Sequence, residues 1–359
     1  MHDTLLDAAI ARGIISTEQA RLIGNLAREM SRSEPPADMP VDDEKLRFIS
    51  GFGDIFVTIG LALFLGSIAY FLGRAFGSLT TAGVVAALAW GLAEYFTRVR
   101  RMALPSIILL IVLAASSFVA FAVALGVRGE AENRAWFFPL HDLLGSGRPL
   151  PLSLAALLTA ALVALHYLRF RVPITVAVWA ASMAGTAIAL VDAFAPGFVG
   201  AHFPIVVLAC GLAIFALAMR FDLSDRSRQT RRTDIAFWLH LLAAPLIVHP
   251  LVSGIVAQRG VADMGASLSV LAVFLCLGLV AVLVDRRAIL VSGLAYAGLA
   301  FGTIMRNAGL VDQTVPATLL TLGAFVLLLS AGWRPLRGVL LKALPLWVAT
   351  RLPHPMASS

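Results

Sequence analysis

The chain has 359 residues, of which 59% are hydrophobic and only 14% are charged. Soluble globular domains carry about 25% charged residues, so this composition excludes an ordinary soluble protein and indicates a membrane protein. The formal net charge of +7 would suggest nucleic-acid binding in a soluble chain. Here the basic residues are better explained as anchors beside anionic lipid headgroups. We therefore expect membrane lipids, and no nucleic acid, among the partners.

The first 30 residues predict a small helical hairpin. Gly13 stands where a first helix would end, and Ser16 with Gln19 has the pattern of a capping box that starts a second helix. Helices this short are unstable alone in water, so the pair must pack on itself, on a partner or on the membrane surface. Residues 1–30 are a candidate docking site for a cytoplasmic protein, and residues 31–47, rich in Pro and acidic residues, predict a flexible linker.

Ten hydrophobic spans follow, and they predict an all-α, polytopic membrane helix bundle over residues 48–332. Most approach the roughly 20 residues that a helix needs to cross the hydrocarbon. Residues 333–359 form a tail with the pattern of a short amphipathic helix, which Pro345 would interrupt. The predicted spans cover residues 54–72, 79–97, 104–125, 152–168, 173–192, 203–219, 234–257, 265–284, 288–305 and 314–332.

The distribution of Lys and Arg orients these spans. The segments on the side of the N-terminus carry 22 of the 28 basic residues, and the segments on the opposite side carry 6. Basic residues are retained on the cytoplasmic side during insertion, so we expect both termini in the cytoplasm. The preference for Arg over Lys is typical of GC-rich bacterial genomes, and we expect a protein of the bacterial inner membrane.

Two loops have a distinctive composition. Residues 126–151 contain an aromatic run from Trp136 to Pro139, followed by His141 and Asp142. This pattern favours an interfacial segment at headgroup depth, and the alternative is a lid over an outward-facing cavity. Residues 220–233 are the most basic loop, which phospholipid contact explains without a ligand.

The seventh span carries the candidate intramembrane polar site. Asp234 begins it, His240 lies roughly 9 Å deeper at helical rise, and His249 comes near the outer end. Pro245 between the histidines frees a backbone carbonyl near the bilayer middle, and such a broken helix needs other helices or a polar cavity. The two histidines differ by about 180° around a helix, so they do not converge on one ligand unless the break rotates one half. The pattern favours an interhelical hydrogen bond for each histidine over a proton relay or a metal or anion site.

The remaining polar residues of the spans are interpreted structurally. His166 is expected to be a boundary residue, and Asp54 is expected to reach headgroups or water from a span end. Asp285 with Arg286 and Arg287 has the pattern of an ordinary polar terminus. The same interpretation applies to three further acidic residues at span ends, Glu94, Asp192 and Asp312.

Gly298 and Gly302 form a Gly-x-x-x-Gly pair in the ninth span. Small residues at this spacing let helices approach closely. In a chain with ten spans, packing inside the chain explains the pair better than dimerisation, and the oligomeric state is not predicted.

Several enzyme signatures are missing from the sequence. It contains no His-Glu-x-x-His zinc motif, no P-loop and no Gly-x-Ser-x-Gly elbow. Cys210 and Cys276 are too far apart to specify a disulfide framework or a metal site. We therefore expect no catalytic residue, no metal and no cofactor.

Three short segments carry a resemblance to known proteins. The run from Gly13 to Ala20, the step from Phe48 to Gly53 into the first span, and the run from Trp333 to Arg337 resemble a family of uncharacterised bacterial multi-pass membrane proteins of unknown function. That family similarly joins an N-terminal helical hairpin to a string of spans. The resemblance implies this layout, and no functional residue transfers with it.

Three functions are compatible with these patterns. The first is a non-catalytic scaffold or envelope component whose N-terminal hairpin docks a cytoplasmic partner, which the weak polarity of the spans favours. The second is a transporter of a small solute or ion that uses the seventh span, since ten-span carriers often consist of two inverted halves. The third is a lipid-modifying enzyme, which the missing motifs make the weakest of the three.

Overall fold

A computed structural model describes residues 10–33, 52–127, 147–225, 230–260, 263–310, 313–345 and 352. Within these ranges the chain forms helices and no strand, so the predicted all-α, polytopic helix bundle is confirmed. The chain divides into two units, Met1–Arg47 and Phe48–Ser359, and each is described by itself.

In the first unit, helix α1 covers Thr17–Ser33. The predicted capping box is formed: the Ser16 N–H donates to Gln19 Oε1 at 2.8 Å, and the Gln19 N–H donates to Ser16 Oγ at 3.2 Å. Gly13 has a φ of 68°, a left-handed conformation that glycine adopts at little cost. Residues 31–33, predicted as the start of the linker, belong to α1; residues 1–9 and 34–51 lie outside the described ranges.

The described part of the second unit contains nine helices long and apolar enough to cross a membrane. The first, α2, is followed directly by a π-helical turn, Glu94–Val99. Each predicted span from the third to the tenth falls on one of the helices α3 to α10. The helices are α2 (Phe52–Ala93), α3 (Ala103–Ala124), α4 (Pro149–Phe170), α5 (Ile174–Phe194), α6 (Phe198–Ser224), α7 (Arg231–Arg259), α8 (Met264–Val284), α9 (Ala288–Asn307) and α10 (Thr314–Ala343).

Helix α2 and the π-helical turn together cover the first two predicted spans. The chain reverses direction within α2, between these two spans. Gly77 has φ 75° and ψ 178°, a combination open only to glycine. Asp54 Oδ2 accepts a hydrogen bond from the Ala103 N–H at 3.3 Å. In a straight helix, 49 residues would separate these groups by about 70 Å. The hydrogen bond therefore requires the chain to reverse between these residues, and Gly77 is the residue of α2 with non-helical dihedral angles.

Helix α7 is the centre of the second half of the bundle. Half of the residues in its most apolar 18-residue stretch are buried, whereas none of the residues in the most apolar stretch of α10 is buried. It packs against α5, α6, α8 and α9. Small buried residues, Ala236, Ala243 and Ala244, let the neighbouring helices approach it closely.

The structure corrects the prediction that Pro245 breaks the seventh span. Helix α7 continues through both Pro245 and Pro250. Each proline removes a backbone donor, but neighbouring helices and local adjustment allow a membrane helix to tolerate the loss. Helix α7 therefore has no free helix ends at Pro245 that could bind an ion or a solute.

Helix α10 is longer than its predicted span. It continues through Pro335 and ends at Ala343, so the first part of the predicted tail extends the last membrane helix. Other predictions lie outside the described residues: the interfacial segment with Trp136, His141 and Asp142, the middle of the basic loop, Asp312 and most of the remaining tail.

Candidate functional site

Three ionisable side chains from three segments meet inside the second half of the bundle. Asp222 lies near the end of α6, His240 lies within α7, and Arg286 lies in the short connection between α8 and α9. The exposed fractions of their side chains are 1%, 0% and 1%. We call Asp222, His240 and Arg286 the polar triad.

The Asp222 carboxylate is the centre of the polar triad. His240 Nε2 lies 2.8 Å from Oδ2, and Arg286 Nε donates to the same oxygen at 3.2 Å. Arg286 Nη2 donates to Oδ1 and also to the backbone carbonyl of Thr233 at 3.4 Å. The guanidinium therefore binds the carboxylate through two parallel hydrogen bonds, the arrangement that gives strong and directional pairing.

The hydrogen bonds of the polar triad fit a cluster without net charge. An ionised carboxylate only accepts hydrogen bonds, so His240 donates through a protonated Nε2. Arg286 is always cationic, and its charge balances that of Asp222. With a neutral His240 the polar triad carries no net charge, which is the state that burial among apolar helices favours.

The surroundings of His240 are apolar. The Phe215 ring meets the imidazole edge-on, with ring centroids 5.2 Å apart. Leu239, Ile214 and Ala218 belong to the buried cluster that joins α5, α6 and α7. The polar triad is therefore enclosed by packed side chains.

A second acidic residue fastens the connection between α6 and α7. Asp225 Oδ2 accepts from the Thr230 N–H at 2.8 Å, from Thr230 Oγ1 at 2.6 Å and from Thr233 Oγ1 at 3.1 Å. Thr233 thus contacts Asp225 through its side chain and Arg286 through its carbonyl. This arrangement ties the start of α7 to the polar triad.

The segment Asp285–Arg287 was predicted to be an ordinary polar terminus, and that prediction is wrong. Arg286 is buried in the polar triad, Asp285 Oδ1 accepts from Trp333 Nε1 of α10 at 2.7 Å, and the Arg287 guanidinium lies 5.2 Å from the centroid of the Trp333 ring. These contacts join the α8–α9 connection to α6, α7 and α10.

The predicted interhelical hydrogen bonds of the two histidines are confirmed. His240 bonds to Asp222 of α6, and His249 Nδ1 lies 2.6 Å from the Tyr296 hydroxyl of α9. His249 is exposed, and it contacts a different helix from His240. The two histidines therefore do not share a site, as their angular separation predicted.

The other predicted site residues lie apart from the polar triad. Asp234 is half-buried in the first turn of α7, where a negative charge favours the helix dipole. An added side chain on Gly298 would contact Leu322, and one on Gly302 would contact Thr314 and Thr318, all in α10. The glycine pair thus lies against the last helix of the same chain.

Two polar side chains of the first half are buried, and one of them, Asp54, was predicted to reach headgroups or water. His166 is 1% exposed: its ring lies edge-on to Trp90, and Nδ1 is 3.5 Å from Thr175 Oγ1. Asp54 is 3% exposed and caps the start of α3 through the Ala103 N–H. Asp54 is therefore packed inside the bundle instead of reaching headgroups, and His166 is buried near the end of α4.

The two best-formed cavities in the described part of the chain are apolar. One lies between α7, α8 and α9, beside Phe274 and Tyr296, and leaves no space for a water molecule. The other is an open groove of about 370 Å³ between α5 and α6, lined by residues such as Val191 and Ile205. Neither cavity is lined by a residue of the polar triad.

The sequence interpretation missed Asp222 and Arg286. Asp222 was counted within the basic loop, although Phe221 and Leu223 flank it, and an isolated acid between large apolar residues is a signal of burial. Arg286 gave no comparable signal, because its neighbours Asp285 and Arg287 are also charged.

No protein-family model matches the chain, and no curated protein or solved structure is significantly similar to it.

Proposed function

We propose that this protein is a non-catalytic scaffold or envelope component of the bacterial inner membrane, whose N-terminal hairpin docks a cytoplasmic protein. The observation that carries the proposal is the closure of the polar triad. Its side chains are at most 1% exposed, and both oxygens of its carboxylate accept hydrogen bonds within it. Such a cluster holds helices together and offers no accessible group to a solute.

The surface of α1 supports a protein as the docking partner. Leu22 is 57% and Ile23 is 45% exposed, and Ile14 just before the helix is 69% exposed. The helix carries Glu and Arg in nearly balanced number and no aromatic residue. Helices that lie on membranes are typically rich in Lys and Arg and use Trp, Phe and Leu for insertion, so a protein surface fits α1 better than a lipid surface.

The orientation proposed here places α1 where such a partner would be found. Most basic residues belong to segments on the side of the N-terminus, and the positive-inside rule assigns that side to the cytoplasm. Both termini are then cytoplasmic.

The docking proposal predicts opposite results for two charge substitutions on α1. Ile23→Glu places a charge on the apolar face, whereas Arg21→Glu changes a position about 200° away around the helix. We expect Ile23→Glu to fail, and Arg21→Glu to succeed, in restoring the growth phenotype of a deletion strain at equal membrane abundance. If both variants complement fully, the apolar face does not dock a partner.

A second candidate function, proton-linked transport, rests on the presence of two titratable groups, Asp222 and His240, among membrane helices. Intramembrane ionisable residues are by default functional candidates. We expect the purified chain in vesicles to conduct no more protons than empty vesicles, as reported by a trapped pH-sensitive dye. A proton flux that His240→Gln abolishes would replace the scaffold proposal with the transport proposal.

A further inference from the structure

Two short turns at one end of the first half of the bundle share an unusual construction. Residues 100–102 connect α2 and its π-helical end to α3, and residues 171–173 connect α4 to α5. We propose that these two turns form a binding site for the phosphate groups of an anionic phospholipid. This site is independent of the proposed docking function of α1.

An ion pair holds the two turns side by side. Arg169 near the end of α4 bonds to Glu94 in the π-helical turn through Nε at 2.8 Å and Nη2 at 3.0 Å. Arg98 bonds to the same carboxylate at 3.3 Å. Glu94 begins the π-helical turn that leads into residues 100–102, and Arg169 lies two positions before residue 171. Their ion pair therefore brings the two turns to the same edge of the bundle.

The edge carries more positive charge than the ion pair neutralises. Five arginines and two acids, Glu94 and the buried Asp54, lie in or beside the two turns, and three of the arginines, Arg100, Arg101 and Arg171, form no ion pair within the described ranges. We call the five arginines together with Glu94 the arginine site. The arginines are Arg98, Arg100, Arg101, Arg169 and Arg171. Guanidinium groups bind phosphate through paired hydrogen bonds, so phosphate is the expected ligand class.

The backbone of both turns has an arginine where glycine would be less strained. Arg101 and Arg171 each have a φ of 54°, a left-handed conformation that is strained for residues other than glycine and a few others. Glycine would form both turns more easily. Backbone strain that persists at a surface position is an indication of a functional side chain.

The neighbours of the arginine site favour a lipid over a soluble phosphate. Val99 is 66%, Tyr95 is 52% and Leu168 is 72% exposed, and each lies next to, or within a few residues of, an arginine of the site. Exposed apolar side chains at the end of a membrane helix contact acyl chains, and Tyr is enriched at headgroup depth. A ligand with phosphates above acyl chains matches both parts of this surface, and basic pockets between membrane helices bind such headgroups.

The test compares lipid binding by the purified full-length chain and by Arg101→Gly/Arg171→Gly, using native mass spectrometry with added cardiolipin, which carries two phosphates. We expect the double variant to bind cardiolipin about 30-fold more weakly, the equivalent of about 1 kcal/mol per basic residue. Its thermal midpoint should not fall, since glycine relieves the strained turns.

A matched control removes two exposed arginines from the first unit, whose surface fits a protein better than a lipid, as Arg12→Ser/Arg21→Ser. We expect the control to bind cardiolipin within about threefold of the unmodified chain. Equal weakening in both variants would mean that only total charge matters and would overturn the site, as would unchanged binding in the glycine variant. Displacement of cardiolipin by an equal concentration of inorganic phosphate would overturn the lipid in favour of a soluble anion.

Discussion

Replacing Asp222 with alanine is expected to destabilise the bundle by about 3–5 kcal/mol, because the substitution leaves the buried Arg286 charge uncompensated. Arg286 is 1% exposed and cannot reach water without displacing packed helices. His240 would also lose its acceptor on α6. The measurement is the free energy of unfolding in detergent micelles, obtained from a denaturant titration.

The control for this prediction is Asp192→Ala. Asp192 is a half-buried acid near the end of α5, and a substitution away from a buried ionic network usually changes stability by about 0.5 kcal/mol or less. A loss for Asp222→Ala no larger than that for Asp192→Ala would contradict the assignment of Arg286 and His240 as its partners.

Replacing Gly211 with alanine is expected to destabilise the contact between α6 and α7 by about 1–3 kcal/mol, the usual effect of overpacking. A Cβ at this position would lie 2.9 Å from the backbone carbon of Leu246 and 2.9 Å from Ile247 Cγ1. Backbone atoms cannot rotate away, so the two helices would have to separate. Since α6 and α7 carry two members of the polar triad, the substitution should also weaken the bond between Asp222 and His240.

Gly185 of α5 provides the matched control, because a Cβ added there meets no atom within 4 Å. Alanine has the higher helix propensity, so Gly185→Ala should leave the free energy of unfolding unchanged or slightly raised. Equal stability of the two alanine variants would show that α6 and α7 are not in close backbone contact at Gly211.

The spans could be predicted because hydropathy is a local property. A run of apolar residues long enough for the membrane satisfies its own backbone as a helix whatever it packs against. The separation of the first two spans, residues 54–72 and 79–97, was predicted for the same reason, and the structure shows that the chain reverses at Gly77.

The polar triad could not be predicted, because it depends on which helices pack together. Asp222 and Arg286 are 64 positions apart, and no local pattern in the sequence connects them. His240 was identified as a candidate because a histidine is conspicuous within an apolar span. Its partner was missed because Asp222 stands next to a polar loop, where an acidic residue usually has no special role.

The effect of Pro245 was misjudged for a related reason. A proline in an isolated helix interrupts it, but α7 packs against four helices and continues through Pro245. The sequence shows that Pro245 lacks a backbone N–H donor, but it does not show which helices pack around α7.

We propose that the polar triad stabilises the packing of α6, α7 and the α8–α9 connection and has no role in transport or chemistry. The most direct test is the triple variant Asp222→Val/His240→Leu/Arg286→Met, since replacing a buried ionic cluster by apolar residues of similar volume is often neutral or stabilising. We predict that the triple variant is at least as stable as the unmodified chain and restores the growth phenotype of a deletion strain. A triple variant that folds with full stability but fails to complement would contradict the claim and identify the polar triad as a functional site.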